Sequence, residues 1–375
     1  MGKYGKKHII DLSPLSYSIC VCGTAGIGKS TLAKEVCEKL AGEEGYIHFN
    51  IGREGGVDAL NNIITEDIED WAKFRDVVDD IVENKSDDYP DLKIVILDSL
   101  DELIRIGEAE VIRQEKKANP GKQVDSILAC RGGFGKGQDY CINMILDKIF
   151  QLKSVGVQSF IIAHTKRSDI IDAVSQTTYS MLTADTAQRY FNAVKNKMDI
   201  VAVGYMDRQI DEVATGRKNI VTKKDITINT VTDEKRIISF RDDSYNVDSK
   251  SRFANIVDKI PFNSDEFIKA IQDAIEAEND KGGISAKDAK KIQAEKDKIR
   301  EKQYTDNSKA AKSNKIDEDK NEELKEFIQT KFSELDKDQK AVFKQECEKL
   351  GIASLKDASI IPTKSLQSLA DFLSA

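Results

Sequence analysis

The chain has 375 residues, of which 33% are charged and 40% apolar, and its formal net charge is −8. That length allows two or three domains with a sizeable core, and the acidic balance excludes a broad polyanion-binding surface, leaving only local basic patches for nucleic acid. There is no apolar run of the ~18 residues that a membrane span needs, so no membrane partner is expected; six scattered cysteines without a CxxC pair and only three histidines predict reduced thiols in a cytoplasmic protein, neither a disulfide frame nor a multi-histidine metal centre.

Residues 17–22 read as an apolar strand, with Cys20 and Cys22 on one face as small core residues. The strand runs into Gly23-Thr24-Ala25-Gly26-Ile27-Gly28-Lys29-Ser30, which matches the Walker A pattern at every fixed position, and an apolar-periodic helix follows over 29–40. The residue types suit a nucleoside triphosphate. Glycines let successive backbone N–H groups converge on an anion, and the helix N-terminus adds unpaired donors and a positive dipole end. Lys29 supplies a cation for the outer phosphates, the Ser30 hydroxyl is a ligand for Mg²⁺, and Thr31 closes the nucleotide-binding run.

A second strand is expected at 46–50. A glycine-rich turn, Ile51-Gly52-Arg53-Glu54-Gly55-Gly56-Val57-Asp58, follows it and presents Glu54 as the group that activates a water for hydrolysis. Trp71, Phe74, Val78 and Ile81 predict a helix over 66–83. The third strand, 93–97, delivers Asp98 in the Walker B arrangement, where its carboxylate joins Ser30 at the metal. Asp101 and Glu102 are weaker candidates and are expected to begin the next helix.

A glycine-rich loop over 129–138 precedes a helix at 139–153. Arg131 and Lys136 can neutralise phosphates there, and Phe134 and Tyr140 can stack on unpaired bases. The fourth strand, 157–163, ends at His164-Thr165-Lys166, where a polar side chain faces the same crevice as Asp98 and can sense a terminal phosphate. Lys166 and Arg167 open a second loop, 166–184. A fifth strand (199–205) and three strand-like runs (219–223, 225–231, 236–241) follow, then a helix capped by Asn263 with Phe267, Ile268 and Ile271 on one stripe.

Alternating strands and helices predict an α/β fold with a mostly parallel sheet and an antiparallel extension. Three regions are expected: a nucleotide-binding domain at 1–280, a Lys/Glu-rich helical or disordered linker at 281–320, and a small all-α module at 321–375. In the module, Leu324, Phe327 and Ile328 mark one face, Val342, Phe343, Cys347 and Leu350 another, and Leu366, Leu369 and Leu373 a third.

The order of these features resembles the RecA/RadA core ATPases, above all their reduced phage versions, the phage nucleotide-binding proteins that include single-strand annealing ATPases. The resemblance covers about 15–275 and includes Asp248-Ser249-Lys250-Ser251-Arg252-Phe253 and Ile260-Pro261. It implies a RecA-like core in which Lys29, Glu54, Asp98 and His164 are catalytic, His164 standing where RecA has glutamine. It also implies ATP and Mg²⁺ as cofactors and a homo-oligomer with ATP between subunits. The two loops, through Arg131, Phe134, Lys136, Lys166 and Arg167, would face single-stranded DNA, in recombination or annealing inside a bacterial host. The C-terminal module would then recruit a partner such as a single-strand binding protein. A nucleotide switch or scaffold with little turnover stays open beside the ATPase, and, less favoured, a small-molecule P-loop kinase.

Overall fold

The computed structural model describes residues 9–52, 56–121, 123–171, 175–218, 225–242, 246, 248–282, 286–313, 318–335, 337–350, 352, 355 and 361–374. The chain divides into two compact units, Met1–Val78 with Pro90–Glu301, and Asp79–Tyr89 with Lys302–Ala375.

The first unit is built on one twisted sheet. Its strands are β1 (Ile19–Gly23), β2 (Tyr46–Ile51), β3 (Thr65–Ile68), β4 (Ile94–Asp98), β5 (Gln158–Ile171), β6 (Thr178–Ala184), β7 (Ile200–Lys218), β8 (Asp225–Ser239), β9 (Lys250–Ser251) and β10 (Lys259–Pro261). The spatial order is β10-β8-β7-β1-β5-β4-β2-β3. From β7 through β3 the neighbours are parallel; β8 and β10 continue the sheet antiparallel. Every residue of β1 and β4 is buried, as expected of central strands covered on both faces.

Helix α1 (Lys29–Ala41) and helix α6 (Ser264–Lys281) cover one face. There Leu32, Val36 and Cys37 meet Ile19, Val21, Ile96, Phe160, Ile162, Phe267 and Ile271 in one core. The cap of α6 is the expected one: Asn263 Oδ1 accepts from the N–H groups of Asp265 (2.8 Å) and Glu266 (3.2 Å). The alternate residues Val95, Leu97 and Ile161 are also fully buried. They face the other side, where α3 (Leu100–Ala118) and α4 (Lys136–Ser154) lie against β5. Cys20 and Cys22 share that side, with sulfurs 3.8 Å apart, whereas Cys37 belongs to the α1 side. No cluster of three metal-binding side chains occurs among the described residues.

Three expectations change. Residues 65–68, expected within a helix over 66–83, form the edge strand β3, and α2 starts only at Trp71 (Trp71–Asn84). Only Ile68 of β3 is buried, so its backbone pairing with His48–Ile51 leaves no apolar alternation to read. The second loop, expected over 166–184, is largely a hairpin: β5 runs on to Ile171 and pairs antiparallel with β6. Two of the last strand-like runs merge into β8, which pairs with an equally extended β7; the run 219–223 lies outside the described residues. In the 281–320 region, expected to be a helical or disordered linker, the helical alternative holds over α7 (Ala286–Ser313). Within the first unit, Arg300 bonds Asp11 (2.6 Å) and Gln293 accepts from the Leu12 N–H (3.2 Å). Polar contacts rather than an apolar stripe hold this part of the helix.

In the second unit, α8 (Glu318–Glu334), α9 (Lys337–Lys349) and α10 (Thr363–Ser374) enclose Leu324, Ile328, Phe343, Leu366 and Leu369. Phe327 and Val342, assigned to the same faces from spacing, stay exposed. Among the described residues no helix is long and apolar enough to cross a membrane.

Candidate nucleotide site

The phosphate loop leaves the carboxyl end of β1. In register, Gly23 stands between His164 of β5 and Gly204 of β7. A side chain at Gly23 would put its Cβ 2.9 Å from the Gly204 carbonyl, so only glycine fits between these strands. Gly26 (φ 76°) and Gly28 (φ 105°) take the left-handed conformation that turns the loop back onto α1. No side chain caps α1, which leaves its first N–H groups for an anion. Lys29 is buried, and its Nζ donates to the carbonyls of Gly23 (3.0 Å) and Thr24 (3.1 Å), which sets the ammonium against the loop.

The Ser30 hydroxyl donates to Asp98 Oδ2 at 2.6 Å, joining the two expected metal ligands across 68 residues of chain. Burial alone would raise the Asp98 carboxyl. Bonds from His48 and Ser30, with the nearby Lys29 charge, outweigh it and hold the group below the usual carboxylate range. A Cβ on Gly56 would lie 3.3 Å from Ser30 Oγ and 3.6 Å from Asp98 Oδ2, so glycine keeps this corner open. An ionised carboxylate, a hydroxyl with lone pairs to give and space beside both fit a small, hard cation such as Mg²⁺. Glu54 lies outside the described residues; the flanking Gly52 packs against the Glu102 carboxylate, and Gly56 against Ser30 and Asp98.

His164 and Asp101 are joined. Asp101 Oδ2 accepts from the His164 backbone N–H (2.9 Å) and faces its Nδ1 (3.1 Å), while Oδ1 accepts from the Thr186 hydroxyl. Asp101 does begin α3, as expected, but it also ties the middle of β5 to the segment before α5 (Gln188–Lys197). Burial would raise its carboxyl, and the bonds from His164 and Thr186 hold it below the usual range instead. Because a carboxylate only accepts, Nδ1 carries the proton toward Asp101.

The glycine-rich loop is a 3₁₀ turn, Ile127–Gly132, leading to α4. Five successive residues, Arg131 to Gly135, have φ between 53° and 86°. Left-handed backbone at Arg131 and Phe134 is strained and needs anchoring. The Arg131 guanidinium stacks 3.9 Å over the Tyr140 ring and donates to Gln114 (2.9 Å), so these two expected DNA contacts are engaged in holding the turn. Phe134, 95% exposed, is what the turn presents, with Lys136 exposed beside it. Arg189 of α5 lies against Gly135 and forms a two-pronged pair with Asp139, both bonds at 2.6 Å. Lys166 of β5 donates to the Asp185 carbonyl (3.0 Å), and Arg167 is exposed.

Two contributors were not expected as site residues. His48, fully buried on β2, places Nε2 3.1 Å from Asp98 Oδ2. Its only trace in the chain is a polar residue inside an apolar strand. Thr186 left no local trace, because its partner is 85 positions away.

A protein-family model described as an AAA domain matches residues 15–253. No curated protein matches the chain. Solved structures that match include a prototypical ATPase from the type III secretion system of pathogenic bacteria, at 14% identity and a TM-score of 0.31. The alignment covers 50% of this chain and 51% of that one, so the chain spans about half the length of that ATPase.

Proposed function

The chain belongs to the AAA domain family, a P-loop ATPase domain, and from that premise we propose a Mg²⁺-dependent, RecA-like ATPase that acts on single-stranded DNA in phage recombination or strand annealing. The observation that carries the ATPase part is the 2.6 Å bond between Ser30 and Asp98 at the mouth of the Lys29 loop. Bound Mg²⁺ would neutralise phosphate charge. Ser30 and Asp98 would hold it, while the loop N–H groups and Lys29 orient the triphosphate. Glu54, between Gly52 and Gly56 in the sequence, would polarise the attacking water.

His164 would register the terminal phosphate. With Nδ1–H committed to Asp101, a hydrogen bond donated from Nε2 requires the imidazolium. A shift of His164 would pull on Asp101 and Thr186, and so on α5, whose Arg189 holds the turn that bears Phe134. Phe134 stacking on an unpaired base, with Lys136 and Arg167 near backbone phosphates, would link nucleotide state to DNA grip. Homo-oligomers and recruitment of a single-strand binding protein through α8–α10 complete the proposal.

ATP hydrolysis by the full chain, measured with and without single-stranded DNA over a salt series, tests it. Stimulation that fades as salt rises, together with near-complete loss of turnover in Glu54→Gln, is expected. No stimulation at low salt would remove DNA from the reading. Turnover unchanged in Glu54→Gln would remove the hydrolytic assignment.

A further inference from the structure

One buried ionisable group beside the site has no role in the chemistry above. His48 is 0% exposed, and its Nε2 lies 3.1 Å from Asp98 Oδ2, the oxygen that also accepts from Ser30. An ionised carboxylate offers no proton, so Nε2 is the donor. The other ring nitrogen, Nδ1, is buried without a hydrogen-bond partner. Leaving a buried ring nitrogen without a partner is unfavourable. Packing does not account for this, because Tyr46, Phe49 and Ile51 of the same strand are buried through apolar surface that a leucine or methionine would supply equally well.

We propose that His48 is a positioning residue for the metal: its Nε2–H pins Asp98 through Oδ2 and so presents the rest of the carboxylate to the cation shared with Ser30. This rests on the Mg²⁺-nucleotide reading of the site and names a residue that tunes it. The hydrogen bonds from Ser30 and His48 both fall on Oδ2, which leaves Oδ1 for the cation or its water. Ser30 alone is a poor anchor, since its hydroxyl also turns lone pairs toward the metal. Without His48 the carboxylate swings about its broad terminal torsion. Loss of such outer contacts lowers metal affinity by about 10–100-fold.

The test uses the full chain and a fluorescent N-methylanthraniloyl-ADP probe, titrated with Mg²⁺, beside probe binding in EDTA. In His48→Leu the half-saturating Mg²⁺ is expected to rise at least about 10-fold. Metal-free probe affinity should hold, and turnover should recover at high Mg²⁺. His48→Gln, whose amide nitrogen can take the place of Nε2, should restore the wild-type midpoint. His48→Asn, folded but too short to reach Asp98, should behave as the leucine variant. A wild-type Mg²⁺ midpoint in either the leucine or the asparagine variant would overturn the role. So would a glutamine variant that fails to rescue. Absence of any Mg²⁺-dependent probe binding in the wild type would instead sink the nucleotide reading itself.

Discussion

Replacing Asp101 with alanine removes one carboxylate and strands three donors: the His164 N–H, its Nδ1–H and the Thr186 hydroxyl. Hydrogen bonds to a charged acceptor contribute about 1.5–3 kcal/mol each. The Asp101 side chain is 23% exposed and that of His164 24%, so water satisfies part of what is lost. We therefore expect Asp101→Ala to lower stability by roughly 2–4 kcal/mol in total. The single tryptophan, Trp71, is 5% exposed in the same unit and reports unfolding in urea. With a slope of about 3 kcal/mol per molar, the midpoint should fall by about 1 M. The pH dependence has a fixed sign. The folded Asp101 carboxyl lies below its unfolded value, so its contribution is complete above ~4 and fades as pH falls through the folded value. The gap between wild type and variant should narrow as pH falls below about 4 and Asp101 takes up a proton. A midpoint shift under about 0.2 M would refute the reasoning, because it would mean that His164 and Thr186 find other acceptors at no loss.

Lys29→Ala should weaken binding of the Mg²⁺–ATP complex by at least about 100-fold in a fluorescence titration, because a buried ammonium is removed from the phosphate cradle. At Gly204, alanine would bring its Cβ to 2.6 Å from the Phe262 ring; the crowding should lower stability by about 1–3 kcal/mol in a thermal melt, and adding Phe262→Ala should recover part of it. Five of the six cysteines are buried, and burial pushes the Cys37 thiol well up, so a thiol reagent should label native protein at Cys347 first and at all six only in denaturant.

Local patterns were legible. The phosphate loop needs only contiguous glycines, a lysine and a helix start, so its conformation follows from neighbours in the chain. The same holds for the Asn263 cap and for strands β1, β2 and β4, whose apolar runs are buried as read. Strands without a regular alternation of buried and exposed residues were not legible: β3, the outer part of β5 and β6 are set by backbone pairing, which has no side-chain signature. The strain at Arg131 and Phe134 was hidden as well, because it depends on anchors from α3, α4 and α5.

Read alone, the residues determined that a strand, a glycine loop and a helix would cradle phosphates, since that geometry is built within a dozen consecutive positions. Tertiary structure decided who stands around the metal corner. Parallel pairing of β2 with β4 brings His48 within hydrogen-bonding reach of Asp98, and the start of α3 with the segment before α5 closes Asp101 on His164 of β5 and on Thr186. These contacts join segments 50 to 85 positions apart, where periodicity carries no information and only folding sets the distance.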